Sequence, residues 1–438
     1  MGASQSNSTR HLRRFCQASV KSAATRFAVQ ASLPGNPTSY CPMTHTRTAL
    51  IHVVLACVAS LPLWGQDRQS AEPVARVPFE LHRNKILVPV TVGPSEPLTF
   101  ILDTGSPVTV VTSHETAEGL GLELLGDVRA RGAGTGAPPR SSIAAPTSVA
   151  LDTIALDSAR ILVMEIETPL AAASGRRYRG ILGRLLFERY VVRLDFRNRW
   201  LELYEPDGFT PPDGATVLPL RLEGGHPHVD TWAVLAQGDT VALDLVIDTG
   251  AKLSLALDLG PRVSLPDRTV EMIVGHGANG PVPGRVGRVP QLTLGDTAVF
   301  DVLAAFVDDE LGVTPGADGN LGVGSLERFD VTFDYPHSRL VLEPTPRLGH
   351  PFGVDLSGIT LAAEGEDFED VVVGWVRPGS PADTAGVRAG DRIVTVDGRR
   401  SLTLEEIESR LERAGPVRLV LFQDGTEREA VLELHPVL

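Results

Sequence analysis

Two copies of one tripeptide, Asp103-Thr104-Gly105 and Asp248-Thr249-Gly250, hold the side chains of this sequence best suited to chemistry. Each Asp ends an apolar run that predicts a buried strand, and the Gly permits a sharp turn that presents the carboxylate at a loop tip. Two carboxylates about 3 Å apart cannot both ionise. One can then take a proton from water while the other, still protonated, polarises a carbonyl group. The pattern predicts hydrolysis by paired carboxylic acids, with no metal and no cofactor.

The two copies extend well beyond the tripeptides. The segment from Gly180 to Phe196 aligns without a gap on the segment from Gly319 to Tyr335, and each begins a similar distance after its Asp, 77 residues in the first copy and 71 in the second. Such matched spacing indicates an internal duplication of one small β domain. Each copy is therefore expected to form one lobe that contributes one Asp.

Short apolar runs broken by Gly and Pro favour closed antiparallel β lobes over helices in both copies. A Pro-rich stretch after them is typical of a semi-rigid linker, and a mixed pattern of strands and short helices follows. In that last part Thr403 and Glu406 predict a helix capping box, and Asp424-Gly425 predicts a hairpin turn. The expected domains are an N-terminal extension with a signal segment (1–66), a first lobe (75–206), a second lobe (207–344), a linker (345–351) and a C-terminal domain (352–438).

With these motifs the chain resembles the retropepsin-like (clan AA) aspartic proteases, in the bacterial exported form that has two lobes in one polypeptide and a trailing PDZ domain. Besides the tripeptides, the matching marks are Ile181-Leu182-Gly183, Asn320-Leu321-Gly322, Asp195-Phe196 and Asp334-Tyr335. The PDZ marks are the Pro-Gly-Ser-Pro-Ala string at 378–382, Ala385-Gly386-Val387, Gly390–Ile393 and Asp397-Gly398. The resemblance implies a mainly β fold: two retropepsin-like barrel lobes in a pepsin-like bilobal arrangement, then an α+β PDZ domain.

The resemblance also implies roles for the residues around the tripeptides. Asp103 and Asp248 would be the catalytic pair of an aspartic endopeptidase, with Thr104 and Thr249 interlocked beneath them. The remaining supporting positions are Gly105, Ser106, Gly250 and Ala251. Because a hydroxyl donor favours the ionised form of a carboxylate, Ser106 suggests Asp103 as the base and Asp248 as the acid.

Glycines about 30 residues after each Asp suit flap hairpins that close over a substrate, although plain surface hairpins fit the pattern too. They are Gly132, Gly134 and Gly136 in the first copy and Gly275, Gly277 and Gly280 in the second. The string Gly275–Gly280 also matches a dinucleotide fingerprint, but Pro281 and Pro283 exclude the helix that must follow it.

A PDZ domain captures an extended peptide end along a sheet edge, and a turn binds the terminal carboxylate. By resemblance that turn is Phe352-Gly353-Val354, and the groove wall is Leu404, Ile407 and Leu411. Spacing alone does not distinguish these three from plain core residues. The domain is expected to bind peptide C-termini and to recruit substrate or gate the cleft.

Composition and the N-terminus bear on partners and location. The formal net charge is -14, and the first 65 residues hold six basic and no acidic residues, so the rest is more acidic still and unsuited to nucleic acid. The apolar run Ala49–Ala59 after Arg47 predicts a secretory signal, with Met43 as an alternative to Met1 as initiator. We expect an exported protein, periplasmic or extracellular, that begins near Gln66 or stays anchored by an uncleaved signal.

The sequence offers less support for other kinds of site. All three cysteines precede the expected start of the exported form, which excludes disulfides and a Cys nucleophile there. No serine-hydrolase elbow of the Gly-x-Ser-x-Gly type occurs. His226-Pro227-His228 suggests a metal cluster, but two His without further ligands are more typical of surface residues. A non-catalytic peptide-binding protein, and an enzyme of other chemistry, stay open. The substrates are expected to be proteins or peptides, and the protein a monomer because both Asp loops lie in one chain.

Overall fold

A computed structural model describes residues 72–311, 313 and 316–438 of the chain. The expected extension, the signal segment and all three cysteines lie outside the described residues. Strands dominate the described part, and barrel-like sheets precede a small C-terminal domain, so the expected mainly β fold is confirmed. Among the described residues, no helix is long and apolar enough to cross a membrane.

The first lobe contains the strands β1 (Ala75–Pro78), β2 (Glu80–His82), β3 (Lys85–Val92), β4 (Leu98–Leu102), β5 (Thr109–Val111), β6 (Leu124–Val128), β7 (Ser141–Ala144), β8 (Thr147–Leu151), β9 (Ile154–Ala159), β10 (Ile161–Met164), β11 (Gly180–Leu182), β12 (Val191–Asp195) and β13 (Trp200–Tyr204). The helices of this lobe are α1 (His114–Gly119), α2 (Glu167–Ser174) and α3 (Leu185–Arg189), and a 3-10 turn follows at Pro206–Gly208. Strands β2 to β11 form one curled sheet in the order β6-β7-β10-β5-β11-β4-β3-β8-β9, with β2 paired to β3.

The second lobe repeats this plan with longer strands. Its sheet runs β15-β16-β17-β22-β18-β21-β20-β19, and an extra pairing of β16 with β20 closes it like a barrel. The elements are β14 (Thr216–Pro219), β15 (Arg221–Glu223), β16 (His226–Val234), β17 (Thr240–Asp248), β18 (Leu255–Asp258), β19 (Val270–Gly277), β20 (Gly280–Leu294), β21 (Thr297–Val307), β22 (Gly319–Gly322), α4 (Val323–Leu326), β23 (Phe329–Asp334) and β24 (Arg339–Pro344), with 3-10 turns at Asp309–Leu311, Tyr335–His337 and Pro346–Gly349.

A six-stranded antiparallel sheet, β1-β13-β12-β23-β24-β14, joins the two lobes. Strands β12 and β23, one from each lobe, pair at its centre, and Val192 lies opposite Phe333. One continuous buried cluster runs through both lobes, and the rings of Phe187 and Phe333 meet edge to face within it at 5.2 Å. Since the lobes share a sheet and a core, their relative position is fixed. The boundary between residues 206 and 207 stays a prediction.

The C-terminal domain is a five-stranded sheet in the order β25-β26-β27-β28-β29 with two short helices. Its elements are β25 (Ile359–Glu364), β26 (Asp370–Val376), α5 (Pro381–Thr384), β27 (Arg392–Val396), α6 (Leu404–Leu411), β28 (Gly415–Gln423) and β29 (Thr426–Leu434). The predicted capping box is present, because the Thr403 hydroxyl accepts from the Glu406 amide and the Glu406 carboxylate accepts from the Thr403 amide. The predicted turn at Asp424-Gly425 joins β28 to β29.

Candidate active site

The two Asp-Thr-Gly loops occupy equivalent places in the two lobes. Asp103 follows β4, which pairs in parallel with β11, and its amide donates to Leu182 O at 3.0 Å. Asp248 is the last residue of β17, which pairs in parallel with β22. Asp248 itself lies opposite Gly322. In each lobe, therefore, the strand at the start of the repeated segment, Gly180–Leu182 or Gly319–Gly322, lies directly beside the strand that delivers the Asp.

Thr104 and Thr249 join the loops beneath the carboxyl groups. The Thr104 hydroxyl donates to Ile247 O at 2.6 Å and accepts from the Thr249 amide at 3.0 Å. The Thr249 hydroxyl donates to Leu102 O at 2.9 Å and accepts from the Thr104 amide at 2.9 Å. Both Thr residues are fully buried, so each hydroxyl satisfies backbone groups of the opposite lobe that water does not reach.

The glycines of the tripeptides bring the two carboxyl groups together. A Cβ added to Gly105 would lie 2.7 Å from Cγ of Asp248, and one added to Gly250 would overlap the carboxyl group of Asp103. Each Asp therefore packs against the glycine of the opposite loop, a space that any larger residue would fill. Within this geometry the two carboxyl groups share one site.

The environments of the two carboxyl groups differ. Asp248 Oδ1 accepts from the amides of Gly250 at 2.8 Å and Ala251 at 3.0 Å, and its Oδ2 accepts from Asn320 Nδ2 at 2.9 Å. Burial, followed by the neighbouring charge of Asp248, raises the pKa of Asp103 to about 7. Asp103 Oδ1 is buried without a hydrogen-bond partner among the described residues. Three donors thus contact Asp248, whereas burial favours a protonated Asp103.

The expected hydrogen bond from Ser106 to a carboxylate is absent, and that interpretation is wrong. The Ser106 hydroxyl donates to Val108 O at 2.8 Å, within its own loop. The sequence led us to expect a hydroxyl donor at the first Asp, whereas the structure has two amide groups and the Asn320 side chain donating to the second Asp, Asp248. The assignment of Asp103 as base therefore loses its support.

Two residues that sequence reasoning did not assign to the site lie against it. Lys85, the first residue of β3, donates from Nζ to Gly250 O. Burial lowers its pKa, and the nearby Asp103 and Asp248 oppose that shift. His226, the first residue of β16, lies near Asp248 and bonds to the Gly105 backbone, and burial lowers its pKa.

Lys85 and His226 are equivalent positions, because each opens the strand that precedes the Asp-bearing strand of its lobe. Aligning the repeats upstream of the tripeptides would have paired them. The interpretation of His226 and His228 as surface residues is wrong: His228 is 2% exposed and pairs with Asp244 at 3.1 Å. Within the described ranges no cluster of three or more His, Cys, Asp or Glu residues could hold a metal ion.

The candidate flap glycines of the two lobes lie in contact, tip against tip. In the second lobe they belong to the β19–β20 hairpin, and in the first to the connection between β6 and β7. Gly132 N donates to Asn279 Oδ1 at 3.1 Å, Gly136 N donates to Asn279 O at 2.6 Å, and Asn279 N donates to Ala133 O at 2.9 Å. The remaining candidates are close by: a Cβ on Gly134 would lie 2.6 Å from Gly280 O, and one on Gly277 would meet Ala133 O, whereas Gly275 has open space beside it.

The candidate peptide-binding residues of the C-terminal domain are largely covered. Leu404, Ile407 and Leu411 are buried in one cluster with Ala171 of the first-lobe helix α2. In the candidate carboxylate turn, Cζ of Arg328 lies 3.5 Å from the centre of the Phe352 ring. Val354 packs against the PDZ core and against a small apolar cluster of the second lobe. A Cβ on Gly353 would meet the carboxyl group of Glu412.

Comparison with known proteins gives two family matches. A family model described as aspartyl protease matches residues 88–185 and 233–324, ranges that each contain one Asp-Thr-Gly. A model described as PDZ domain matches residues 372–423.

Among curated proteins, the chloroplastic C-terminal processing peptidase of Tetradesmus obliquus is 36% identical over 109 residues, 23% of each chain. This chain thus spans about a quarter of that relative's length. Among solved structures, a photosystem II D1 C-terminal processing protease matches at 38% identity over 19% of this chain and 22% of its own, with a TM-score of 0.17.

Proposed function

We propose that this chain, which carries an aspartyl protease domain in two segments and a C-terminal PDZ domain, is an aspartic endopeptidase whose catalytic pair is Asp103 and Asp248. The observation that carries the proposal is the pairing of the two carboxyl groups, each packed against the glycine of the opposite loop. A shared site of this kind retains one proton between two acids near neutral pH.

The unequal surroundings of the pair suggest the direction of proton transfer. Asp248, ionised under three donors, takes a proton from the attacking water, and the water oxygen bonds to the carbonyl carbon of the substrate. Asp103, protonated because of its burial, donates its proton to the carbonyl oxygen. When the resulting diol collapses, the C–N bond breaks, Asp248 returns its proton to the leaving amine, and Asp103 regains the proton of the second hydroxyl.

This cycle needs only water, the peptide and the two carboxyl groups. Atoms and charges balance because each acid ends in the protonation state in which it started. The pair titrates as a unit, so the roles describe the dominant proton position rather than fixed identities. The two candidate flaps contact each other at their tips, and they would have to separate for an extended peptide to enter between them.

The remaining parts of the proposal concern partners and location. Aspartyl protease and PDZ domains act on or bind peptides and proteins, and we propose that this chain does so as a monomer. The PDZ domain would recruit peptide C-termini, for which helix α2 would have to move, or would gate the cleft. We also propose export from a bacterial cell, on the apolar run and flanking Arg of the N-terminal segment. N-terminal sequencing of the native protein tests export, which predicts a start near Gln66.

The experiment that tests the activity is incubation of the purified 66–438 chain with a diverse peptide library from pH 3 to 8, with Asp103→Asn as the matched control. The proposal expects internal cleavage by the unmodified chain and none by the variant. A variant that cleaves as fast as the unmodified chain would assign the activity to other residues. A chain that binds peptides but cleaves none would favour the peptide-binding interpretation.

A further inference from the structure

The turn between β2 and β3 has an unusual composition. Its two central residues, Arg83 and Asn84, both adopt positive φ, 48° and 59°. Two-residue hairpin turns of this kind favour Asn, Asp and Gly, and a bulky residue at the first position is strained. Asn84 suits its position, but Arg83 does not. A strained residue persists only where surrounding contacts hold it.

The side chains of three consecutive residues, Arg83, Asn84 and Lys85, contact the PDZ helix, helix α2 and the loop of Asp248. Arg83 makes a two-pronged ion pair with Glu408 of the PDZ helix α6, with Nε to Oε2 at 2.8 Å, and also donates to a backbone carbonyl of α2. Asn84 Nδ2 donates to Lys252 O at 2.9 Å, and Lys85 Nζ donates to Gly250 O. The last two contacts fall on the loop that carries Asp248. The turn therefore connects the PDZ helix to the second catalytic loop.

The ion pair is well formed. The Arg83 side chain is 6% exposed, and a two-pronged bond between guanidinium and carboxylate is among the strongest polar contacts in proteins. Lys252 lies two residues after Gly250, and the charges of Glu408 and Glu412 oppose the lowering of its pKa by burial. The acidic side chains of helix α6 thus act on basic side chains of both the turn and the catalytic loop.

The PDZ domain is also docked on the first lobe by apolar contacts. Helix α2 packs on β25, and Ala171 lies in the PDZ core cluster with Leu404 and Ile407. A Cβ on Gly175 would lie 3.6 Å from Leu404 Cβ and 4.0 Å from Ala363 Cβ. The space between β25 and α6, where a PDZ domain would take a peptide, is therefore covered by the protein's own helix.

We propose that helix α6 of the PDZ domain positions the second catalytic loop through the turn Arg83–Lys85, and that Arg83 and Glu408 are positioning residues for the cleavage of every substrate. The inference rests on the proposed endopeptidase function. It differs from recruitment, because it requires the PDZ domain even for peptides too short to touch that domain. It also accounts for the retention of a strained Arg at a turn position that Asn would occupy more easily.

The kinetic test compares Arg83→Asn, Glu408→Gln, their double variant and a control, Glu429→Gln, in the full chain. Arg83→Asn suits the turn while removing the ion pair. Glu429 pairs with Arg418 on the exposed face of the PDZ sheet and serves as the matched loss of one carboxylate. On a peptide of about eight residues, we expect kcat to fall about 10- to 100-fold with little change in KM in both single variants, because small misplacement of a catalytic group is costly. The double variant should lose no more than either single one.

A second measurement does not depend on cleavage. Amide hydrogen exchange of residues 248–252 should be about 5- to 10-fold faster in Arg83→Asn and Glu408→Gln than in the unmodified chain, and unchanged in Glu429→Gln. If Arg83→Asn and Glu408→Gln leave both the exchange rate of residues 248–252 and kcat as they are in the unmodified chain, helix α6 does not position the loop, and the proposal is overturned. If the unmodified chain cleaves no peptide, the endopeptidase proposal fails, and the exchange result alone decides whether the PDZ helix holds the loop.

Discussion

Replacement of Asn320 by Leu tests the hydrogen bond that this amide makes with the proposed base, Asp248. Asn320 is 2% exposed, and its Nδ2 donates to Asp248 Oδ2 at 2.9 Å. The aligned residue of the first lobe is Ile181, which has no such donor. The substitution therefore removes one hydrogen bond from the proposed base and makes the two lobes more alike.

The size of the effect follows from the energy of that bond. A hydrogen bond to a charged group contributes about 1.5 to 3 kcal/mol, and one pKa unit corresponds to about 1.4 kcal/mol. Loss of the bond should cost the singly ionised pair about that energy relative to the doubly protonated pair. Because the singly ionised pair is required for the reaction, activity is lost as the pH falls. The acidic limb of kcat/KM therefore moves to higher pH by about 1 to 2 units.

The assay is kcat/KM on one short peptide from pH 3 to 8, with Ile181→Val as the control that changes the aligned position without removing a donor. The control should leave the acidic limb in place. An acidic limb in Asn320→Leu that stays where it is, or moves to lower pH, would show that this amide does not support Asp248 as the base.

Three further predictions use the same preparation. In the unmodified chain, kcat/KM should fall as the pH rises above about 7, where Asp103 loses the proton that it donates; activity still rising at pH 8 would argue against that role. Lys85→Met should move this basic limb to higher pH, since Lys85 lowers the pKa of Asp103, and a downward move would contradict the assigned electrostatics. Thr104→Val should lower the free energy of unfolding in urea by about 2 to 6 kcal/mol, because it leaves the Thr249 amide and the Ile247 carbonyl buried and unpaired at about 1 to 3 kcal/mol each. Thr104→Ser retains both bonds and is the control, so an equal loss in both variants would refute the argument.

Features encoded in local sequence could be predicted. The strand before each Asp is a continuous apolar run, and the structure has β4 and β17 there. The duplication predicted two equivalent lobes because matched spacing over a whole domain does not arise by chance. The capping box of α6 and the last hairpin turn depend on residues three or fewer positions apart, so their chemistry is visible without tertiary context.

Features that depend on contacts between distant residues could not be predicted. Pairing of β12 with β23 joins segments from different lobes, and alternation of apolar residues does not identify a partner strand. Ser106 illustrates the same limit at the site. A hydroxyl next to an Asp has several acceptors within reach, and the Val108 carbonyl of the tight loop is the one that it meets.

The PDZ domain shows how a motif can be right while its surroundings are not foreseen. Its strings predicted the fold, yet helix α2, far away in sequence, covers the space beside Leu404. Lys85 and His226 were missed for a related reason, since a single Lys or His at the start of a strand carries no signal by itself. Alignment of the two repeats pairs these positions with each other, and the structure places both beside the glycines of the tripeptides.

If Asp103 and Asp248 act as one catalytic unit, kcat/KM of one short peptide should show it in Asp103→Asn, Asp248→Asn and the double variant. We expect a loss of at least about 1,000-fold in each single variant and no further loss in the double variant, because the effects of residues that act as a unit are not additive. Urea unfolding of all three variants should show a cooperative transition, which establishes that each is folded before the assay. A folded single variant whose activity stays within about tenfold of the unmodified chain would mean that the two carboxyl groups do not act as a catalytic pair.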